Sequence, residues 1–161
     1  RLKENSDART CPGSAEKILN RSESPVEVEN NIHPSELSHW PIQLHLVSPV
    51  SAQYRNSSLL LAADCAGFSY PDIHRNFIKG RSIAIACPKL DTNKQAYLDK
   101  LIKMITEAGL KSITVLIMQV PCCGGLVQIA KQAAEFTGSS IQIDAIVLSV
   151  EGNILNKIKI N

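Results

Sequence analysis

Four short, continuous runs of apolar residues recur along the chain and constrain its fold most strongly. They are SSLLLAADC at 57–65, SIAIAC at 82–87, SITVLIMQV at 112–120 and IDAIVLSV at 143–150. Strands of a parallel sheet covered by helices on both faces are apolar along their whole length and do not alternate with polar residues. The four runs therefore predict a buried, mostly parallel sheet.

Segments with helical periodicity separate these runs. Apolar residues recur every three or four positions over 92–108 and over 124–137, and a glycine follows each segment. A shorter helix is predicted from Pro71 to about Ile78. Alternating strands and helices predict an open, doubly wound, Rossmann-like α/β sheet of about five strands, mostly parallel, with helices on both faces.

Three weaker patterns complete the predicted architecture. Ile42, Leu44 and Leu46 alternate with polar residues and predict a half-buried first strand. The tail EGNILNKIKI predicts a last strand, joined through a tight turn at Gly152 in a C-terminal hairpin. Residues 1–36 are polar, with one short helix predicted near 14–20, so we divide the chain into an N-terminal segment or linker at 1–36 and an α/β domain at 37–161.

Composition restricts the class of function. The chain has 161 residues, which suits one domain, and its net charge of +2 is too small to indicate nucleic acid or an anionic membrane as partner. No apolar run reaches the roughly 20 residues of a membrane-spanning helix, and no secretory signal is visible. Five cysteines cannot all pair with one another, so we expect reduced thiols and a cytoplasmic location.

Four of the five cysteines follow predicted strands. Cys65 and Cys87 lie at the carboxyl ends of two runs, and Cys122 and Cys123 follow the third. Because the carboxyl ends of parallel strands share one edge of a sheet, these side chains are expected to converge there. Convergent thiolates are metal ligands, and four of them suit an iron–sulfur cluster or a structural zinc ion. Close CxxC pairs typical of zinc sites are absent, which favours a cluster, 4Fe-4S before 2Fe-2S.

Residues beside these cysteines are candidates for a supporting role. Gly124 and Gly125 lie where a helix would start, and without side chains their backbone could approach a bulky ligand. Lys89 adds a positive charge to the same edge of the sheet. His74 is a competing fourth ligand or a proton donor, although a solvated helix histidine is the commoner situation. Cys11 lies in the polar segment and is expected to be a free thiol.

Four sequence blocks resemble a known family. HWPIQLHLVSP, LLLAADCAGFSYPDIHRNFIKG, IACPKLD and VPCCGGL, in this order over about residues 37–153, resemble the region that follows the ferredoxin-like segment in iron–sulfur-binding proteins of anaerobes, often labelled 4Fe-4S ferredoxins. The resemblance implies that the four domain cysteines are the cluster ligands. It also implies that TCPGSA at 10–15 is the junction to a two-cluster ferredoxin module, whose CxxCxxC runs this chain lacks.

The predicted function is electron transfer by an iron–sulfur domain, with a redox protein or a fused ferredoxin module as partner and without nucleic acid or membrane. No GxGxxG or Walker A sequence indicates a nucleotide. Two alternatives stay open. One is a redox or sulfur-handling enzyme that uses an open-site cluster or the thiols of Cys122 and Cys123, and the other is a zinc-stabilised interaction module.

Overall fold

The computed structural model describes residues 16–18 and 33–161. Seven strands and three α-helices occupy this part of the chain, together with short 3₁₀ turns at Ala52–Tyr54 and Pro121–Cys123 and a π-helical turn at His74–Ile78. In chain order they are β1 (Lys17–Ile18), β2 (His39–Trp40), β3 (Ser58–Ala63), α1 (Ala66–Ser69), β4 (Ser82–Ala86), α2 (Lys94–Thr106), β5 (Ser112–Met118), α3 (Gly124–Thr137), β6 (Gln142–Leu148) and β7 (Ile154–Lys159).

A five-stranded sheet in the order β4-β3-β5-β6-β7 forms the centre of the domain. β4, β3, β5 and β6 are parallel, whereas β7 pairs antiparallel with β6. The connection through α1 runs across the sheet in one direction and those through α2 and α3 run in the other. By the right-handed rule for such crossovers, α1 and the π-helical turn cover one face and α2 and α3 cover the other. The open, mostly parallel α/β sheet and its C-terminal hairpin are confirmed.

The order of the strands creates a topological switch point. From β3 the chain moves outward to β4, then crosses back over β3 to β5 and continues to β6. The connections after β3 and after β5 therefore leave the sheet toward opposite faces. In open α/β sheets a crevice forms at such a point, outside the carboxyl ends of the strands.

Continuous burial of the strands explains their uninterrupted apolar sequence. Leu59, Leu60 and Leu61 of β3 are completely buried, although successive side chains point to opposite faces of the sheet. Leu101 of α2 and Leu126 of α3 are equally buried and cover one of these faces. Removing a leucine side chain from water stabilises a fold by roughly 1.5–3 kcal/mol, so this layer dominates the stability of the domain.

The two long helices lie close to their predicted positions. α2 covers 94–106 of the predicted 92–108, and α3 has the predicted bounds 124–137. α3 ends at Gly138, whose φ of +63° is the left-handed conformation that terminates many helices. The predicted helix from Pro71 to Ile78 is shorter than expected and is a π-helical turn over His74–Ile78, and α1 precedes it.

The predicted strand over Ile42–Leu46 is wrong. Only Gln43 pairs with the sheet, in a single parallel bridge to Ile85. The chain then turns, because the N–H groups of Leu46 and Val47 both donate to the carbonyl oxygen of Gln43, at 2.8 and 3.1 Å. Leu44 and Val47 are buried while Leu46 is exposed, so the apolar spacing in this segment is that of a turn.

The predicted short helix near 14–20 is also wrong where the structure describes it. Lys17 and Ile18 form β1, which pairs antiparallel with β2. Extended backbone at these two positions supplies the hydrogen bonds that β2 needs and excludes a helical turn. The prediction of a last strand after a turn at Gly152 is confirmed, since β7 follows this glycine and pairs with β6.

Within residues 16–18 and 33–161, no helix combines the length and the apolar character needed to cross a bilayer.

Candidate functional site

Four cysteines lie at the carboxyl edge of the sheet, around the switch point. Cys65 follows β3 and precedes the first residue of α1, and Cys87 follows β4 directly. Cys122 and Cys123 occupy the 3₁₀ turn that leads from β5 into α3. Since β4, β3 and β5 are neighbours in the sheet, the loops that carry these four thiols are adjacent in space.

The cysteines differ in exposure, and the pKa of the most buried one, Cys123, is shifted. Cys65 and Cys122 are exposed, Cys87 is half-buried, and Cys123 is only 7% exposed. Burial raises the pKa of the Cys123 thiol, and the nearby sulfurs of Cys122 and Cys65 raise it further, while a hydrogen bond with the backbone of Met118 opposes them. The sulfurs of Cys65 and Cys122 therefore both lie within electrostatic range of Cys123.

Asp91 fixes the loop that carries Cys87. The Cys87 N–H donates to Asp91 Oδ2 at 2.8 Å, and the Asp91 N–H donates to the Cys87 carbonyl oxygen at 2.9 Å. The hydroxyl of Tyr97, a buried residue of α2, donates to the same carboxylate oxygen. Burial, followed by this hydrogen bond and the charge of Asp91, raises the pKa of Tyr97. The loop CPKLD is thus closed at both ends and tied to α2.

The Cys87 loop also meets the turn that holds Cys122 and Cys123. A Cβ atom added to Gly125 would lie 3.0 Å from Cβ and 3.3 Å from Cγ of Pro88. Gly124, by contrast, faces open space, with nothing within 4 Å of an added Cβ. The absence of a side chain at Gly125 therefore allows the loop after β4 to lie against the start of α3.

The other predicted residues lie in different surroundings. Lys89 is exposed on the Cys87 loop. His74 accepts a hydrogen bond at Nδ1 from the Glu36 N–H, at 3.1 Å, and lines a cavity whose wall includes none of the cysteines. The role of His74 beside the four thiols stays a prediction. Cys11 lies outside the described residues.

Asp64, which directly precedes Cys65, was not among the predicted site residues. Burial and the neighbouring charge of Asp91 raise its pKa. Its Oδ1 atom is buried and has no hydrogen-bond partner among the described residues. Sequence reasoning also missed Asp91 and Tyr97. The only signal for Asp91 was its position four residues after Cys87, a spacing that suits a closed loop.

The residues at this edge fit a thiolate-bound group in donor type, and they lie on neighbouring loops. Four sulfurs share one edge, and two of them, Cys65 and Cys122, lie on exposed turns. Over the described residues, no three side chains of His, Cys, Asp or Glu are already arranged as a ligand set for a metal ion.

Comparison with known proteins agrees with the architecture. The model of the family described as Rossmann-like domain matches residues 51–161. The chain is also similar to an uncharacterized protein of Archaeoglobus fulgidus, with 29% identity over 119 residues, which is 74% of this chain and 83% of that protein. No solved structure shows significant similarity. Because the family model covers more than half of the chain, the chain belongs to the family of Rossmann-like domains.

Proposed function

We propose that this domain binds an iron–sulfur cluster, of the 4Fe-4S type, through Cys65, Cys87, Cys122 and Cys123, and that it transfers electrons. The observation that carries the proposal is the placement of all four thiols at one sheet edge, on loops that follow three neighbouring strands. Four cysteine thiolates are the usual ligand set of a 4Fe-4S cluster. When bound, such a cluster accepts and releases one electron.

Each element at this edge has a defined part in binding. Cys122 and Cys123 occupy the 3₁₀ turn that runs directly into α3, so both lie beside the positive end of its dipole. Asp91 holds the backbone of Cys87 at a fixed position. Burial of Cys123 favours its neutral thiol, so ligation has to offset the loss of that proton.

The surroundings of the thiols support a protein partner. Four exposed apolar residues follow strands at the same carboxyl edge as the cysteines. They are Phe68 in α1 and Leu90, Val120 and Val150 in loops or turns. Exposed apolar residues that cluster around a site indicate protein contact. We infer that a redox protein, or a ferredoxin module of the same polypeptide, docks at this edge.

One observation favours a second candidate function. Cys122 is exposed and lies beside the start of α3, which suits a reactive thiol as well as a metal ligand. A redox or sulfur-handling enzyme could therefore use Cys122 as nucleophile, with the neutral thiol of Cys123 beside it. A structural zinc ion, held by the same four sulfurs, is the third alternative.

Metal and sulfide analysis of protein purified without oxygen tests the proposal. We expect iron and acid-labile sulfide in similar amounts, a brown colour, and a paramagnetic resonance signal after reduction. Stoichiometric zinc without labile sulfide would show that the site is structural. Protein free of metal and sulfide that retains rapid alkylation of Cys122 would favour the thiol enzyme.

Single serine variants identify the ligands. Cys65→Ser, Cys87→Ser, Cys122→Ser and Cys123→Ser are each expected to lose or convert the cluster, because a closed 4Fe-4S cluster uses four protein ligands. Cys11→Ser and His74→Ala are the matched controls and should keep the full iron content. Full retention in either Cys122→Ser or Cys123→Ser, with loss in His74→Ala, would mean that the histidine is the fourth ligand.

A further inference from the structure

The cavity that His74 lines lies between the sheet and the π-helical turn, and none of the four cysteines is part of its wall. Its volume is about 290 Å³, and its floor is formed by β3 and β4, including Ala62 and Ile85. Ten of its twelve lining residues are apolar or glycine, and the two polar ones are Asp64 and His74. An apolar cavity of about 150 Å³ is already enough to hold benzene in a protein interior. The size and lining therefore suit a small aromatic molecule.

The two polar residues define what head group such a molecule would carry. The Glu36 N–H donates to Nδ1 of His74, so this nitrogen is unprotonated and the ring proton is on Nε2. His74 Nε2 thus offers an N–H donor. Asp64 has a carboxyl group for which no hydrogen bond is formed within the described residues, and its Oδ1 is buried. A buried polar atom without a partner is rare in native proteins and indicates a missing ligand or water.

Phe68 lies at the mouth of the same cavity. It belongs to the lining, yet its side chain is 97% exposed. A phenylalanine left in water at the rim of an apolar cavity gains contact area when an aromatic ligand is present, and such ring pairs contribute favourably beyond their buried area. Phe68 is therefore suited to cover a bound ring.

We propose that this cavity binds a small, neutral aromatic molecule that carries a hydroxyl group. A hydroxyl accepts a hydrogen bond from His74 Nε2 and can donate to the Asp64 carboxyl group, and a neutral molecule avoids placing a further charge in a cavity with a mostly apolar lining. The proposal is independent of cluster binding, because none of the four cysteines lines the cavity.

Binding of 2-naphthol to the full 161-residue chain tests this proposal. Five isoleucines line the cavity: Ile42, Ile73, Ile78, Ile83 and Ile85. In ¹³C-methyl spectra we expect 2-naphthol to shift the signals of these isoleucines in a saturable manner and to leave those of Ile113 and Ile143, in the core, unchanged. Absence of saturable shifts, or shifts confined to other methyl groups, would overturn the proposal.

Two variants test the roles of the residues. Phe68→Ala is expected to weaken 2-naphthol binding several-fold, up to about tenfold, whereas Phe136→Ala, an exposed phenylalanine of α3 away from the cavity, should leave it unchanged. Because both side chains are exposed, neither replacement removes core packing. Equal effects of the two variants would contradict a role for Phe68 and with it the proposed site.

The head group is tested with a matched pair of probes. Wild-type protein should bind 2-naphthol about tenfold more tightly than naphthalene, which lacks the hydroxyl. His74→Phe should abolish this preference, and His74→Gln, which can place an N–H near the position of Nε2, should restore part of it. An unchanged preference in His74→Phe would show that the hydroxyl does not bind this residue.

Discussion

Asp91 is the residue that connects the cysteine edge to the rest of the fold. Its carboxylate accepts from the Cys87 N–H and from the hydroxyl of Tyr97, while its own N–H closes the loop on the Cys87 carbonyl. One side chain therefore fixes a candidate ligand and satisfies a buried phenol. Because two donors depend on its carboxylate, Asp91 affects stability more than its partial exposure alone would suggest.

Replacement of Asp91 should be costly. Asp91→Ala leaves the Tyr97 hydroxyl and the Cys87 N–H without their acceptor, and a buried donor without a partner costs about 1–3 kcal/mol. We expect the free energy of unfolding, from urea titration of metal-free protein, to fall by about this amount. Asp99→Ala removes an exposed carboxylate of α2 and should change it by less than about 0.5 kcal/mol. Equal losses in the two variants would contradict the bridging role of Asp91.

The sequence alone located the cysteines but not the residues that hold them. Strand ends can be predicted from continuous apolar runs, so the position of Cys65, Cys87 and Cys123 at one edge follows from strand pairing. The hydrogen bond between Tyr97 and Asp91 depends on the direction in which α2 leaves the loop. No local sequence pattern predicts this direction. The side-chain directions of the cysteines are equally a product of packing.

Among the secondary-structure elements, long periodic segments were predictable and short ones were not. The bounds of α3 follow from its helical periodicity and the glycine that ends it, whereas the positions of β3 to β6 follow from their continuous apolar runs. The segment 42–46 was mistaken for a strand because apolar and polar residues alternate there. Its backbone instead turns after Gln43, since two N–H groups converge on a single carbonyl oxygen. Hydrogen bonds of this kind, formed over three or four residues, override a weak alternating pattern.

Two glycines at the start of α3 allow a test of the contact between this helix and the loop after β4. Gly124→Ala introduces a methyl group into open space and should stabilise the protein by about 0.5–1 kcal/mol, because alanine favours a helix more than glycine. Gly125→Ala gains the same helix propensity but brings its methyl group to 3.0 Å from Pro88. We expect its unfolding free energy to be at least about 1 kcal/mol below that of Gly124→Ala.

Urea titration of metal-free protein measures this difference. Both variants change one glycine to alanine in the first turn of the same helix, so each is the control for the other. Equal stabilisation by the two alanines would mean that the loop after β4 can move away from α3 without lowering the free energy of unfolding, and that it does not constrain the helix.

At the scale of the whole molecule, the β6–β7 hairpin contacts α1, which belongs to the connection between β3 and β4. The turn between β6 and β7 approaches α1, although about 80 residues separate them in sequence, and Gly152 is the point of contact. The Ser69 hydroxyl also donates to Met118 Sδ at the end of β5. Elements from the beginning, middle and end of the domain therefore meet at the edge that carries the cysteines, and its geometry depends on the complete sheet.

Gly152→Ala should show how strongly the molecule depends on this closure. A Cβ atom at this position would overlap the carbonyl oxygen of Ser69, and the φ of +89° is one that side chains rarely adopt. Clash and backbone strain together should cost about 2–4 kcal/mol, which lowers the melting temperature by roughly 4–15 °C for a domain of this size. Gly80→Ala is the matched control, since Gly80 has a similar φ of +72° but no atom within 4 Å of an added Cβ. It therefore measures the backbone strain alone, which should cost about 1 kcal/mol. Equal melting temperatures of the two variants would mean that the hairpin does not press on α1, and that the carboxyl edge is assembled without it.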